Sequence, residues 1–134
     1  VGRRLGLSIE IVPALDEVDF GHWAGRAFTD LKADPLWVRW NSDRSGVRAP
    51  DGECILEVLS RVTDHLSMVS EFYPDARVVM VTHAEVIRAL VLSRAGLPQG
   101  AWRAVDVPPA SIRRICVHAQ DGRLSELYED ADVT

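Results

Sequence analysis

Cysteine is scarce in this sequence: Cys54 and Cys116 are the two present, and they lie far apart. That excludes a small domain stapled by several disulfides, and it leaves no paired-thiol spacing for a structural metal. Two buried, reduced thiols in a cytoplasmic protein are expected instead. Apolar runs of membrane-spanning length are missing, as is a signal peptide, so no membrane partner is expected. Dense basic runs are missing too. With 15 Lys and Arg against 20 Asp and Glu, the net charge is −5, which argues against nucleic acid as the main partner. It still permits a local cationic pocket for a small anion. No set of histidines and carboxylates has ligand spacing, so neither a metal nor a cofactor is expected. Repeats, low-complexity segments and linkers are absent, and residues 1–134 read as a single domain. An initiator Met is also lacking. Arg3, Arg4, Leu5 and Gly6 read as the cationic, glycine-stopped end of a helix, so the chain is expected to begin inside a larger domain.

What is present is an ordinary globular composition, 47% hydrophobic and 26% charged, in a chain long enough for a real core. Residues 7–12, LSIEIV, alternate apolar and polar, which predicts a strand with one buried face, ended by Pro13. ALDEVDFGHWAG follows and reads as a loop with close backbone approaches. Residues 27–33 suit a short helix halted near Pro35. The stretch from Leu36 to Gly52 reads as an irregular excursion or lid, pinned to the body by Trp37 and Trp40. A long amphipathic helix is predicted from Glu53 to Tyr73, with Ile55, Val58, Leu59, Val62, Leu66, Val69 and Phe72 on one face and Asp51 as its cap. After a connection carrying Trp102, Ser111–His118 and Leu124–Tyr128 read as a hairpin around Asp121-Gly122.

Between the long helix and that connection lies RVVMVTHAEVIRALVLSRA, residues 77–95. Val78, Val79, Met80 and Val81 form a short continuous apolar run, which suits a strand buried on both faces of a parallel sheet. Val86, Ile87, Leu90 and Val91 then recur at helical spacing, and Gly96 with Pro98 ends the helix. His83 stands where the strand hands over to the helix. Ligands bind at that end of parallel strands, and a helix N-terminus favours an anion. A phosphate or carboxylate site is the functional reading; a strand-end histidine held by a local hydrogen bond is the plainer one. The order of elements predicts an α/β fold, a three-layer α/β/α sandwich with a mainly parallel sheet and an antiparallel edge.

Two segments resemble the histidine phosphatase superfamily, also called phosphoglycerate mutase-like. The first is Leu15-Asp16-Glu17-Val18-Asp19-Phe20-Gly21-His22-Trp23-Ala24-Gly25. The second is Val79-Met80-Val81-Thr82-His83, followed by Ile87-Arg88-Ala89-Leu90. Pro50-Asp51-Gly52-Glu53 looks like that family's helix start, and Arg61 falls where its helix commonly carries an arginine. The resemblance runs from Leu5 to Tyr128. It implies hydrolysis of a small phosphorylated substrate through a phosphohistidine. By that resemblance Glu17 would be the general acid and His83 the second phosphate-binding histidine. Phe20, Gly21 and Ala84 would line the phosphate or substrate site. A carboxylic acid is needed because an alkoxide leaves poorly, and the phosphoryl oxygens need neutralisation.

The family's nucleophile sits in an Arg-His-Gly motif, and no Arg-His-Gly occurs here. His22, His65 and His118 have other neighbours. The expectation is therefore an N-terminally incomplete domain, short of a strand–helix unit of about 30 residues or more. By itself it should be nearly inactive. A non-catalytic module that binds a phospholigand or a partner is the competing expectation. Two chains completing each other's sheet as a homodimer is a third, since an open strand edge invites pairing. Ala24 and the lack of clearly matching paired arginines favour a phosphatase over a mutase. Arg39, Arg44 and Arg48 are candidate substrate contacts, although surface arginines are usually only solvated.

Overall fold

The computed structural model describes residues 2–117 and the backbone of 124–129. Its centre is a long helix, α4 in chain order. Before it come α1 (Gly2–Leu5), α2 (Phe28–Leu31) and α3 (Pro35–Ser42). Then α4 (Ile55–Phe72) and α5 (Ala84–Arg94) follow, and the described part ends in β1 (Arg113–Val117) and β2 (Leu124–Glu129). On α4, Ile55, Val58, Val62 and Leu66 are buried at three- and four-residue spacing. They share one core with Val86, Ala89 and Leu90 of α5 and with Val18, Trp23, Leu31, Trp40, Val47 and Ala49. The predicted helix C-terminus at the start of the chain is present: Gly6 has φ +65°, and the Leu7 amide donates to Gly2 O at 3.0 Å.

The excursion is more ordered than its composition suggested. Asp34 caps α3 by accepting from the Leu36 amide, and Pro35 opens the helix. The second Asp34 oxygen accepts from Trp23 Nε1 at 2.9 Å. That hydrogen bond, followed by the Leu36 amide, holds the Asp34 carboxyl below its ordinary value. Trp40 is 1% exposed, with its ring 6.0 Å from those of Phe20 and Trp23, so the two tryptophans do pin this segment to the core.

The loop holding Glu17 is zipped to the approach of α4. His22 N donates to Pro50 O at 2.9 Å, and Glu53 N to Asp19 O at 2.8 Å. This draws Asp51 away from the helix, into a positive φ of 54° and a contact of its carboxylate with His22 Nε2 at 3.0 Å. Asp51 is therefore not the cap. Cys54 precedes the helix, and its amide donates to Glu57 at 3.0 Å. Two glycines permit the close approach. A Cβ on Gly21, whose φ is +48°, would lie 2.0 Å from Pro50 O, and one on Gly52 would lie 2.2 Å from Asp19 O. Gly21→Ala should cost about 2–3 kcal/mol in urea unfolding. Gly25→Ala, at φ +76° with open space around it, should cost only about 1 kcal/mol. Equal losses would show that the approach is not tight.

Arg48 bonds Glu57. That hydrogen bond, then the Cys54 amide, lowers the Glu57 carboxyl from 4.5 to about 2. A carboxylate with a depressed folded pKa stabilises above its unfolded pKa and loses that contribution as pH falls through the folded value. Thermal melts of wild type and Glu57→Gln should therefore differ fully above about pH 5 and converge near pH 2.

The fold is α/β; among the described residues the sheet is the antiparallel hairpin, β1 on β2 with Ile115 opposite Leu127, while the expected burial of segments 7–12 and 78–82 and of the two thiols needs correction. The hairpin's predicted turn, Asp121-Gly122, lies outside the described residues, as does His118. Segments 7–12 and 78–82 carry no ladder among the described residues. Ile9 and Ile11 are 75% and 88% exposed, and Val79 and Val81 63% and 74%. Alternation and β-branching mark a chain able to join a sheet, but ladder bonds and burial come only from a neighbouring strand. The thiols are reduced but not buried: Cys54 is half-buried and Cys116 exposed. Cys116 follows the two-residue period of β1, in which its neighbours Ile115 and Val117 turn inward. No helix among the described residues is long and apolar enough to cross a membrane, and no group of His, Cys, Asp and Glu is placed to hold a metal ion.

Candidate active site

His83 occupies the residue before α5, with extended backbone at φ −112° and ψ 162°. The first-turn amides of a helix have no intrahelical acceptors, and they carry the positive end of its dipole. His83 is about half exposed, so its imidazole is open to a ligand. Ala84 opens the helix itself.

Glu17 comes from the loop after a 3-10 turn at Pro13–Leu15. Its Oε2 lies 3.8 Å from His83 Nδ1, and its Oε1 accepts from the Val18 amide at 3.0 Å. Residues 66 positions apart in the chain thus meet at the head of α5. The loop is fastened by its backbone. Arg61 on α4 donates to Ala14 O at 2.7 Å, Asp16 O at 2.8 Å and Glu17 O at 3.1 Å. Thr82, next to His83, donates to Leu15 O at 2.6 Å. Glu53 receives Arg61 Nε at 2.8 Å and the Asp19 amide at 2.9 Å. Burial alone would raise the Glu53 carboxyl, but the Arg61 and Asp19 hydrogen bonds outweigh it and hold it below its ordinary value.

The wall beside α5 is charged and closed. Glu85 accepts from Arg44 and from Arg88. Arg88 also donates to Val105 O at 3.0 Å. The Arg44 guanidinium stacks 3.8 Å from the Trp102 ring centre, and Arg103 lies 4.3 Å from the same centre. Burial, then the like charges of Arg88 and Arg103, lower Arg44 to about 10, while the Glu17 carboxylate acts in the opposite direction. Arg44 therefore stays charged at neutral pH, within electrostatic reach of Glu17.

Of the residues singled out from the sequence, Glu17, His83 and Ala84 come together. Gly21 serves the close approach to Pro50. Phe20 packs its ring toward Trp37 and Trp40, at 6.4 and 6.0 Å. His65 lies on α4, and His22 pairs with Asp51. Arg48 pairs with Glu57, and Arg39 is exposed. Arg44 is not a surface arginine, and Glu85 was missed. An acid in the first turn after a strand-end histidine, with Arg88 three residues on to pair with it, was the available signal.

A histidine at a helix start, faced by a carboxyl from a clamped loop, invites comparison with phosphate-handling proteins. Residues 1–130 match the Histidine phosphatase superfamily (branch 1). The adenosylcobalamin/alpha-ribazole phosphatase of Escherichia coli (strain K12) is 27% identical over 113 residues, 75% of this chain and 56% of that protein. The bifunctional protein Rv2228c of Mycobacterium tuberculosis (strain ATCC 25618 / H37Rv) is 35% identical over 91 residues, 66% of this chain and 25% of that protein. In three dimensions the chain resembles the mycobacterial glucosyl-3-phosphoglycerate phosphatase Rv2419c in its complex with VO3. The TM-score is 0.76 at 25% identity, covering 97% of this chain and 66% of the other. Against the Escherichia coli relative, the aligned region is a little over half of that protein's length. With its family-wide match and a solved phosphatase superimposing on nearly all of it, the chain belongs to the histidine phosphatase superfamily, branch 1.

Proposed function

We propose that these residues form the acid-and-binding part of a phosphomonoester hydrolase working through a phosphohistidine. His83 and the α5 amides take the non-bridging oxygens of the phosphoryl group, where charge grows in the transition state. Glu17 protonates the departing alcohol. The attacking histidine would come from an Arg-His-Gly segment outside these 134 residues, whose strand would pair with segments 7–12 and 78–82 into a parallel sheet. The observation that carries the reading is the 3.8 Å approach of Glu17 to His83 at the head of α5. The substrate would be a small phosphorylated molecule, in keeping with the phosphatases among the relatives. A mutase is the weaker alternative, suggested by the probable phosphoglycerate mutase GpmB of Escherichia fergusonii at 29% identity.

A non-catalytic phospholigand-binding module is favoured by one observation, the lack of Arg-His-Gly in the sequence. The two readings separate on the full-length gene product, assayed against a panel of phosphomonoesters with acid-quench trapping of the phosphoenzyme. The hydrolase reading expects turnover and an acid-labile phosphohistidine, with the 134-residue chain alone nearly inactive. Phosphate binding without turnover by the full-length product would leave the module.

A further inference from the structure

Four consecutive carbonyl groups in the Glu17 loop are each captured by a side chain from elsewhere in the fold. Arg61 takes those of Ala14, Asp16 and Glu17, and Thr82 takes that of Leu15. Arg61 is itself held by both oxygens of Glu53, at 2.8 and 3.1 Å, so its guanidinium cannot swing away. Its five N–H donors match this set of acceptors, a geometry that a lysine cannot reproduce. A loop without regular structure would otherwise sample many backbone states, and fixing each residue costs about 1–2 kcal/mol. The approach of Glu17 to His83 depends on that fixing. Proton transfer needs the acid within about 3 Å of the leaving oxygen.

We propose that Arg61 and Thr82 are positioning residues for the general acid. They clamp the loop backbone so that the Glu17 carboxyl faces His83, and they touch no substrate themselves. The inference rests on the proposed function and deepens it. It goes beyond packing because the clamp holds one chemical step, protonation of the leaving group, and should matter only when that step is needed.

The test uses the full-length protein and two substrates, glycerol phosphate and p-nitrophenyl phosphate. An alkoxide needs a proton to leave, whereas p-nitrophenolate leaves with little help. Glu17→Gln sets the scale by lowering the alkyl-to-aryl ratio of kcat, by about 100-fold. Arg61→Ala should lower that ratio by at least about 10-fold, and Thr82→Val should lower it in the same direction. Arg61→Ala combined with Glu17→Gln should be no worse on the alkyl ester than Glu17→Gln alone, because one unit cannot be lost twice. Arg61→Lys and Thr82→Val serve if Arg61→Ala fails to fold. Equal losses on both substrates, with effects that multiply in the double variant, would reduce the clamp to a purely structural role. An unchanged ratio in Glu17→Gln, or no hydrolysis by the full-length protein, would overturn the proposed function and this inference with it. An unchanged ratio in Arg61→Lys and Thr82→Val, beside a fallen ratio in Glu17→Gln, would overturn the inference alone.

Discussion

Glu17→Gln is expected to lower kcat of the full-length protein on an alkyl phosphate by about 10²–10⁴-fold. KM should move little, because the proton is transferred only in the transition state. Glutamine keeps the side-chain shape, and its carbonyl can still accept the Val18 amide hydrogen bond that Oε1 now receives. What it lacks is an acidic proton. His83→Ala should cost about 10²–10³-fold by removing a donor from the growing charge on phosphorus oxygens. Its loss should appear on aryl and alkyl esters alike, which separates binding of the phosphoryl group from protonation of the alcohol. Steady-state kinetics on both ester types measure this. Wild-type rates in both variants would remove Glu17 and His83 from the chemistry.

Glu85→Ala is expected to be the most damaging substitution for stability, at about 3–5 kcal/mol in denaturant unfolding. The reason is the charge it would strand. Arg44 is 6% exposed, stacked on Trp102 and bonded to Glu85, and its Nε has no acceptor. Arg88 reaches the same carboxylate from one turn along α5. Removing Glu85 leaves two guanidinium groups close together without the carboxylate that bonds both, and Arg103 adds a third near Trp102. Arg48→Ala breaks an exposed pair with Glu57, and it should move the unfolding midpoint far less. A loss in Glu85→Ala no larger than in Arg48→Ala would mean that the buried cluster contributes no more than a surface pair.

Parts of this architecture were legible because their causes are local. The stripe on α4, the cationic end of α1 with Gly6, and the pattern change at His83 all arise within one turn or one strand. The terminal hairpin was legible for the same reason, since its strands are neighbours in the chain. Helix α3 could have been read from Asp34-Pro35, a cap followed by a residue suited to the first helical position. The composition of the surrounding stretch, rich in Trp, Ser and Gly, obscured it.

By itself the sequence determined that His83 precedes a helix and that Glu17 stands in a short loop, and the resemblance to a phosphatase family supplied the roles proposed for them. An imidazole before a helix and a carboxyl in a short loop are properties of residue type and local pattern. Only the tertiary structure decided that Glu17 and His83 stand 3.8 Å apart. It also decided that Arg61 and Thr82 are spent on backbone carbonyls, and that Arg44 is buried on Trp102. Those facts depend on chain segments far apart in sequence, and the free energy of such contacts depends on burial and geometry, which no local pattern encodes.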